Sequence, residues 1–425
     1  GRFHSCTHLD PRSLACLRIG TAAVLAWDML LALAVADDWW AMQGYGEVKL
    51  PAWTVLGSEA MTLQLAAIVV IACTTLLALG WRTGHVTTVA WISSCAFQYA
   101  ARATTDYHNA VLCVLLFWSL ALPTATVASM DARAGRQSNL PGWLVGAGCT
   151  GLLASLAWIY LSTAAAKSGA AWWHEGSAVW LALLDRGTTT AAGRWLALAA
   201  PEQIWPSVTW TALVLEWTAP VLLIWRRSRV VAVFGLVLFH VITWLLLDLG
   251  SFPLTMLVAL AALLPASVWD RIGWRLSASA PVTCRRSGTR PQLQLVMMAL
   301  ALVITLEGER VVVWEGDTLW PYRGARHVAR LRYLLGMEVV WGMYAPEPFR
   351  KAGWWVAVGW RADGTVEDPI TGSAPTLKPP QLSGRGARLR WLALSDAPYE
   401  THGWGVQHMY RNFLLTQRNG TGPRQ

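Results

Sequence analysis

The sequence carries little charge for its length, and this limits the class of protein. Only 14% of the 425 residues are Asp, Glu, Lys or Arg, whereas 55% are hydrophobic. A soluble protein normally carries about 25% charged residues. The apolar residues also form runs of about 20, the length of one bilayer crossing. The composition therefore excludes an ordinary soluble domain and predicts a polytopic membrane protein.

The cysteine patterns of a disulfide framework or a zinc site are also missing. The seven cysteines lie apart, most of them inside apolar runs, and no CxxC occurs. We therefore expect no metal site. The first ten residues contain no apolar segment, so we expect no cleavable signal peptide.

Nine apolar segments are candidate membrane spans, which predicts an all-α helical bundle in the bilayer. They cover roughly residues 13–36, 60–80, 86–101, 109–129, 142–166, 207–225, 230–247, 252–269 and 291–307. Tryptophan favours membrane interfaces, and many of the 28 tryptophans flank these segments.

Arginines in the loops between the apolar segments, and not a nucleic-acid-binding surface, explain the net charge of +9. With the N-terminus in the cytoplasm, the arginine-rich loops all fall on the cytoplasmic side, as the positive-inside rule requires. These arginines are Arg82, Arg133, Arg136, Arg226, Arg227, Arg229, Arg271, Arg275, Arg285, Arg286 and Arg290. We therefore predict a multi-pass protein of the plasma or inner membrane with an external C-terminus.

The C-terminal part differs from the rest in composition. In "WWVAVGWRADGTVEDPI", apolar and polar residues alternate, and Asp363-Gly364 stands where a hairpin would turn. We predict a transmembrane domain over 1–307 and a small external domain over 308–425. The latter would contain strands and one or two short helices near "HMYRNFLL".

Ionisable residues inside a bilayer are costly, so each needs an explanation. In the predicted topology several polar residues share the external half of the membrane, where they could surround a pocket that opens outward. These are Tyr107, His108, Tyr160, Lys167, His240 and Asp248. Arg18, Asp28 and Glu216 also lie within predicted spans.

The strongest candidates have both a structural and a functional interpretation. Lys167 either snorkels to the headgroups or acts as a general base toward a membrane-dissolved phenol or hydroquinone. His240 either bonds a neighbouring helix or serves catalysis. Glu216 is the most exceptional, and a protonated, hydrogen-bonded carboxyl is one account of it.

Two other pairs of residues can be explained by a structural role. Arg18 and Asp28 are about 15 Å apart along one helix, so each needs a partner elsewhere, and a structural ion pair is the default. Trp172 and Trp173 belong either to an aromatic belt or to a ligand cage.

Five stretches of the sequence carry a resemblance to one known family: "SLACLRIGTAAVLAWDML", "YHNAVLCVLLFWSLALP", "WIYLSTAAAKSGAAWWHEGSAVWLAL", "LFHVITWLLLDLGSFP" and "VVWGMYAPEPFRKAGWWVAVGWRADG". They resemble the vitamin K-dependent gamma-carboxylase-like proteins, also called the horizontally transferred transmembrane (HTTM) family, and the last stretch resembles bacterial members. Their order and spacing carry the resemblance over most of the chain.

The resemblance implies a reaction and a set of residues. In the animal enzyme a lysine deprotonates reduced vitamin K. Oxygen then converts it to a strong base, and a peptide glutamate loses a proton and captures CO₂. Lys167 falls at the position of that lysine, His108 at that of an assisting histidine, and His240 at that of the histidine of a later helix. Ala166 stands where the animal enzyme has the first lysine of a pair.

Two hypotheses follow. The first is a carboxylase-like enzyme that uses a reduced quinone, O₂ and CO₂, with Tyr160, Tyr107, Trp172 and Trp173 around the cofactor and a peptide or small molecule as substrate. The second is a non-catalytic membrane factor that binds a peptide or lipid, for maturation, export or immunity. The oligomeric state is not predicted.

Overall fold

The computed structural model describes residues 9–34, 59–100, 107–136, 140, 142–185, 188–274, 312–313, 317–318, 342–348, 358–360, 363–367 and 374–375. Its helices are α1 (Pro11–Ala34), α2 (Glu59–Leu79), α3 (Thr83–Ala100), α4 (Tyr107–Ser119), α5 (Met130–Arg133), α6 (Gly142–Ala166), α7 (Ala170–Trp173), α8 (Ala178–Leu184), α9 (Ala191–Ala199), α10 (Trp205–Ile224), α11 (Arg226–Leu246), α12 (Phe252–Ala261) and α13 (Ala266–Arg271). A short 3₁₀ turn, Glu202–Ile204, precedes α10.

Within the described residues, four stretches of helix are long and apolar enough to cross a membrane. They are Pro11–Leu31, Leu144–Ala166, Glu202–Ile224 and Arg227–Leu246. Three shorter apolar helices accompany them, Gln64–Leu79, Tyr107–Ser119 and Phe252–Ala261. The helical membrane character is thus confirmed, whereas nine spans and their orientation stay predictions. The ninth predicted span, 291–307, lies outside the described residues.

Two of the predicted spans are not continuous helices to their predicted ends. The segment predicted over 109–129 is helical only to Ser119, and the one predicted over 252–269 breaks after Ala261 and is helical again only from Ala266, in α13. Pro123 follows the first helix and Pro265 the second, and a proline disfavours helical geometry in the residue before it. The hydrophobic pattern continues past each proline although the helix ends.

The chain divides into two compact units, each made of several separate segments. The first comprises Gly1–Asp28, Val69–Tyr99 and Asp106–Arg350, and the second comprises Met29–Ile68, Ala100–Thr105 and Lys351–Gln425. All the cavity-lining residues described below belong to the first unit.

Five helices of the first unit form a closed ring of packed neighbours. Helix α6 packs against α10, α10 against α11, α11 against α12, α12 against α4, and α4 against α6. Each of the five helices contributes a fully buried side chain to one hydrophobic core; these are Leu115, Leu156, Leu223, Leu236 and Met256. This ring surrounds the candidate site.

The contact between α4 and α6 depends on a glycine. A β-carbon on Gly151 would lie only 2.1 Å from the Trp118 ring, so only glycine lets the indole fit between the helices. The indole Nε1 donates to Ser155 Oγ at 3.0 Å, which satisfies its polar atom inside the core.

Helix α10 contains Pro220 in its interior. Proline has no backbone N–H, so the carbonyl four residues earlier, that of Glu216, lacks its usual helical donor.

The described residues of the C-terminal part include two antiparallel strand pairs. Strand β1 (Val312–Val313) pairs with β2 (Asp317–Thr318), and β3 (Gly359–Trp360) pairs with β4 (Val366–Glu367). The predicted turn at Asp363-Gly364 joins β3 to β4, with Gly364 at a φ of 83° and Thr365 N–H donating to Asp363 Oδ1 at 2.9 Å. The helices predicted near "HMYRNFLL" lie outside the described residues.

A buried carboxylate fastens the start of α3. Asp131 accepts hydrogen bonds from the backbone N–H groups of Arg82 at 3.0 Å and Thr83 at 2.8 Å, and from the Thr83 hydroxyl at 2.8 Å. Burial works to raise the pKa of the Asp131 carboxyl. The Thr83 and Arg82 donors, together with Arg136, outweigh burial, so this pKa lies below its usual value.

We expect Asp131→Asn to destabilise the fold by about 1–3 kcal/mol near neutral pH, because buried donors lose a charged acceptor. A lowered pKa in the folded state means that this stabilisation is present above the usual carboxyl pKa of about 4 and is lost as pH falls through the folded value. The apparent Tm gap between the variant and the parent protein in detergent should therefore shrink below about pH 4.

The matched control is Glu202→Gln, which removes a carboxylate from an exposed position. It should leave the apparent Tm unchanged at both pH values. If the difference in apparent Tm between Asp131→Asn and the parent protein stays constant from neutral to acidic pH, the lowered pKa of Asp131 is contradicted.

Candidate functional site

The ring of helices encloses a cavity of about 560 Å³. Its wall is mostly apolar, with polar groups confined to a few places. The wall residues used below are Tyr107, Tyr160, Lys167, Trp172, Glu216, His240, Phe252, Met343 and Tyr344. A volume in the range of roughly 300–1,000 Å³, apolar walls and a few convergent polar groups are typical of small-molecule sites.

The most polar feature of the cavity is an ion pair between Lys167 Nζ and Glu216 Oε2. Lys167 directly follows α6, and Glu216 lies in the middle of α10. Their side chains are only 5% and 7% exposed. Lys167 therefore turns inward and does not snorkel. Burying either charge alone would cost several kcal/mol, and pairing offsets this cost.

Two tryptophans hold Lys167 in place. The Trp172 ring lies under the ammonium, with Nζ 4.9 Å from the ring centroid, which is a cation–π contact. Trp173 is half exposed and donates its indole N–H to the Lys167 carbonyl at 2.6 Å. Of the two, Trp172 lines the cavity, whereas Trp173 fixes the backbone.

A second polar pair, Tyr160 with His240, also lines the cavity. The Tyr160 hydroxyl and His240 Nε2 are 2.8 Å apart, and the two residues are 3% and 2% exposed. The His240 ring also meets Phe252 edge-on at 5.9 Å. Its Nδ1 has no hydrogen-bond partner within the described part of the chain.

The segment 342–348 contributes two residues to the cavity wall. Its backbone accepts hydrogen bonds from Gly169 N–H, through Pro346 O at 2.9 Å, and from the Trp172 indole, through Tyr344 O at 2.9 Å. The Glu347 carboxylate accepts from Ala171 N–H at 3.1 Å. Met343 and Tyr344 thereby become part of the wall.

Tyr344 also reaches Thr188. The two hydroxyl oxygens are 3.1 Å apart, and Thr188 donates to Asp185 Oδ2 at 2.8 Å. Burial raises the pKa of Tyr344 well above its usual value, so the phenol stays protonated and available as a donor.

His108 lies in a neighbouring polar cluster and is not among the cavity-lining residues. Its Nε2 is 3.0 Å from Asp28 Oδ2, and the other carboxylate oxygen of Asp28 accepts from the Ser251 hydroxyl at 2.5 Å. The adjacent residues Tyr107 and Phe252 do line the cavity and meet edge-on at 6.3 Å. This cluster thus backs the wall.

The remaining predicted residues lie away from the wall. Arg18 is fully buried and donates to the carbonyls of Thr124 at 3.2 Å and Ala128 at 2.5 Å. Asp248 donates its backbone N–H to Thr188 O at 2.7 Å. The Arg18 guanidinium thus bonds backbone carbonyls, whereas Asp28 meets His108, and the two residues do not pair with each other.

Sequence reasoning did not foresee that Lys167 and Glu216 are partners. A signal was present, because Lys167 is the only lysine in or directly beside a predicted span, and a mid-membrane carboxylate needs a counter-charge. The contribution of Met343 and Tyr344 was also missed. These two residues reach the cavity only because the chain returns to helices that lie far earlier in the sequence. No local sequence pattern predicts such a contact.

These features define a helical membrane protein with a buried, mostly apolar cavity and an internal ion pair. The family model for the HTTM domain matches residues 7–269, and the chain belongs to this family. No curated protein and no solved structure matches the chain.

We expect the single variants Lys167→Met and Glu216→Leu to be strongly destabilised, each by about 3–5 kcal/mol, because each leaves a buried charge without its partner. The double variant should regain most of that loss, because it leaves no charge uncompensated. Thermal inactivation half-lives of the purified proteins in detergent would measure this coupling.

The control is Thr218→Val, two residues from Glu216 on an exposed face of α10, which should behave like the parent protein. If the effects of the two single variants simply add in the double variant, the pair contributes no coupling.

Proposed function

We propose that this protein is a membrane enzyme that removes a proton from a hydroquinone bound in the cavity, with the Lys167–Glu216 pair as the proton acceptor. The observation that carries the proposal is the buried ion pair on the wall of an otherwise apolar cavity. A buried pair of ionisable groups on the wall of a cavity is a common setting for acid–base catalysis.

The pair can take up one further proton. As an ammonium with a carboxylate, or as the neutral amine with the carboxylic acid, it carries no net charge. When the hydroquinone O–H bond breaks, the proton joins the pair and the electron pair stays on the oxygen. The pair then carries one positive charge beside the new oxyanion. In a low-dielectric site this positive charge strongly stabilises the oxyanion.

The cavity suits an aromatic diol. The apolar wall accommodates a ring, the Trp172 indole offers a face next to Lys167, and Tyr160 with His240 supplies a second polar position for the other oxygen. Bound there, a reduced quinone of the vitamin K or menaquinone type would supply the reducing equivalents for reaction with O₂. Tyr107 and Phe252 would limit the position of the ring.

His108 has an indirect role in this proposal. Held by Asp28 behind Tyr107, it is a positioning residue for the wall. The resemblance to vitamin K-dependent carboxylases supports carboxylation of a peptide or small acid as the step that follows, and the positive-inside pattern of the loops supports a pocket that opens on the outer side.

We expect Lys167→Gln and Glu216→Gln to lower the rate of O₂-dependent menaquinol consumption by about 100-fold or more, the usual contribution of a general base. Purified protein in vesicles containing menaquinol provides the assay. Glutamine keeps the hydrogen-bonding shape but cannot take up the proton. Thr218→Val is again the control and should retain the parent rate.

Turnover that is unchanged in Lys167→Gln and Glu216→Gln would refute the proposal. Quinone bound to the purified variants must be measured in parallel, because a lost rate with retained quinone separates proton transfer from binding.

A second candidate function is a non-catalytic factor that binds a lipid or peptide. It is favoured by the mutual satisfaction of Lys167 and Glu216, which makes the pair stable without any chemistry. A lipid extract of the purified protein separates the two. Co-purifying quinone favours the enzyme, whereas a co-purifying peptide or lipid without quinone and without turnover favours the binding factor.

A further inference from the structure

We infer that the cavity opens sideways into the lipid between α10 and α11, and that its ligand is an amphiphile whose apolar tail lies in this opening while its acidic head faces Lys167 and Glu216. The opening and the class of ligand do not depend on whether the protein turns over a hydroquinone.

The first observation is that several wall residues are also surface residues. Val208 of α10 is 40% exposed, and Leu238 and Ile242 of α11 are 60% and 45% exposed, yet all three line the cavity. Ser207 and Thr211 share this double position. A residue that contacts both a cavity and the outside marks a gap in the wall.

The second observation is that these residues lie level with one another. Helices α10 and α11 form an antiparallel hairpin about Trp225, so residues equally far from Trp225 lie opposite each other. Val208 and Ile242 are each 17 residues from it, and Ala212 and Leu238 are each 13. The gap therefore lies in the half of the hairpin far from its turn.

Nearer the turn, the two helices come into ordinary packing contact. Gly235 and Leu215 are each ten residues from Trp225, and a β-carbon on Gly235 would lie 3.4 Å from Leu215 Cδ1, a van der Waals distance. Between this contact and the helix ends, wall residues border the opening on both helices. It is a discrete slot rather than a general separation of the helices.

The slot faces lipid. Both helices are long and apolar enough to cross the membrane, and the residues around the slot are apolar or carry a hydroxyl. A ligand in transit must therefore partition into hydrocarbon. Met343 and Tyr344, fixed by the hydrogen bond from the Trp172 indole to the Tyr344 carbonyl, line a different part of the wall from the slot.

The polarity of the cavity defines the orientation of the ligand. Its ion pair, Lys167 with Glu216, lies on the wall with Trp172, whereas Val208, Leu238 and Ile242 form the slot. A head group that can donate a proton fits the first region, and a long alkyl or isoprenoid chain fits the second. A small, fully polar substrate matches neither.

Photo-crosslinking tests this on the parent protein. The probe is a naphthohydroquinone whose long alkyl chain carries a diazirine near the ring, added to vesicles that contain the protein. We expect labelled peptides to contain residues 207–211 and 238–242, with the label removed by excess long-chain menaquinol. Labelling that is spread evenly over α10 and α11, or that the competitor does not reduce, would overturn the inference.

A second probe separates this inference from the proposed function. It is a long-chain carboxylic acid with a diazirine at the same distance from its head. If the acid labels the slot and the hydroquinone does not, the lateral opening stands and the hydroquinone assignment fails. If neither probe labels the slot, the opening itself is refuted.

Substitutions that narrow the slot give an independent measurement. Val208→Trp and Leu238→Trp should weaken equilibrium binding of long-chain menaquinol by about tenfold, while binding of tailless menadiol changes far less. Val214→Trp and Val231→Trp are matched controls, because these residues are 60% and 70% exposed on the same two helices without lining the cavity. They should bind both ligands as the parent does.

Equal binding of long-chain menaquinol by all four variants would contradict the slot. An equal loss of both ligands in Val208→Trp and Leu238→Trp would also contradict it, since that pattern indicates a distorted cavity instead of a blocked tail.

Discussion

The rest of the site depends on one electrostatic constraint, the mutual burial of Lys167 and Glu216. Neither charge is tolerable alone in a membrane interior, so the end of α6 and the middle of α10 must stay in register. That register keeps Trp172 under the ammonium and places the bonds between Gly169, Ala171 and the segment 342–348. The proposed proton acceptor and a structural tie between two helices are thus the same pair of side chains.

The ring of five helices gives this pair an unusual setting. Its core side chains, such as Leu156 and Leu236, exclude water, while the far half of the α10–α11 hairpin leaves wall residues on the surface. The cavity wall therefore combines mostly apolar residues that reach the surface with a buried ion pair. This contrast would order the proposed amphiphile without any specific contact to its tail, because each part of the molecule is most stable in the region that matches it.

Much of the fold could be predicted from hydropathy, because the bilayer imposes a length on each apolar helix. Helix ends at Ser119 and Ala261 could not, since apolar residues continue beyond them and the break depends on Pro123 and Pro265. The polar residues of the site were predictable one by one, because charge inside a membrane stands out. Their grouping was not, since a pairing such as His108 with Asp28 depends on which helices are neighbours.

The proline within α10 affects how easily this helix bends near its buried charged residue. Pro220 lies one turn after Glu216 and deprives its carbonyl of a helical donor, so α10 loses least when it bends at this level. The membrane helix is therefore mechanically softest where its charge sits. Glu216, the partner of Lys167, therefore stands where the backbone of α10 has one helical hydrogen bond fewer.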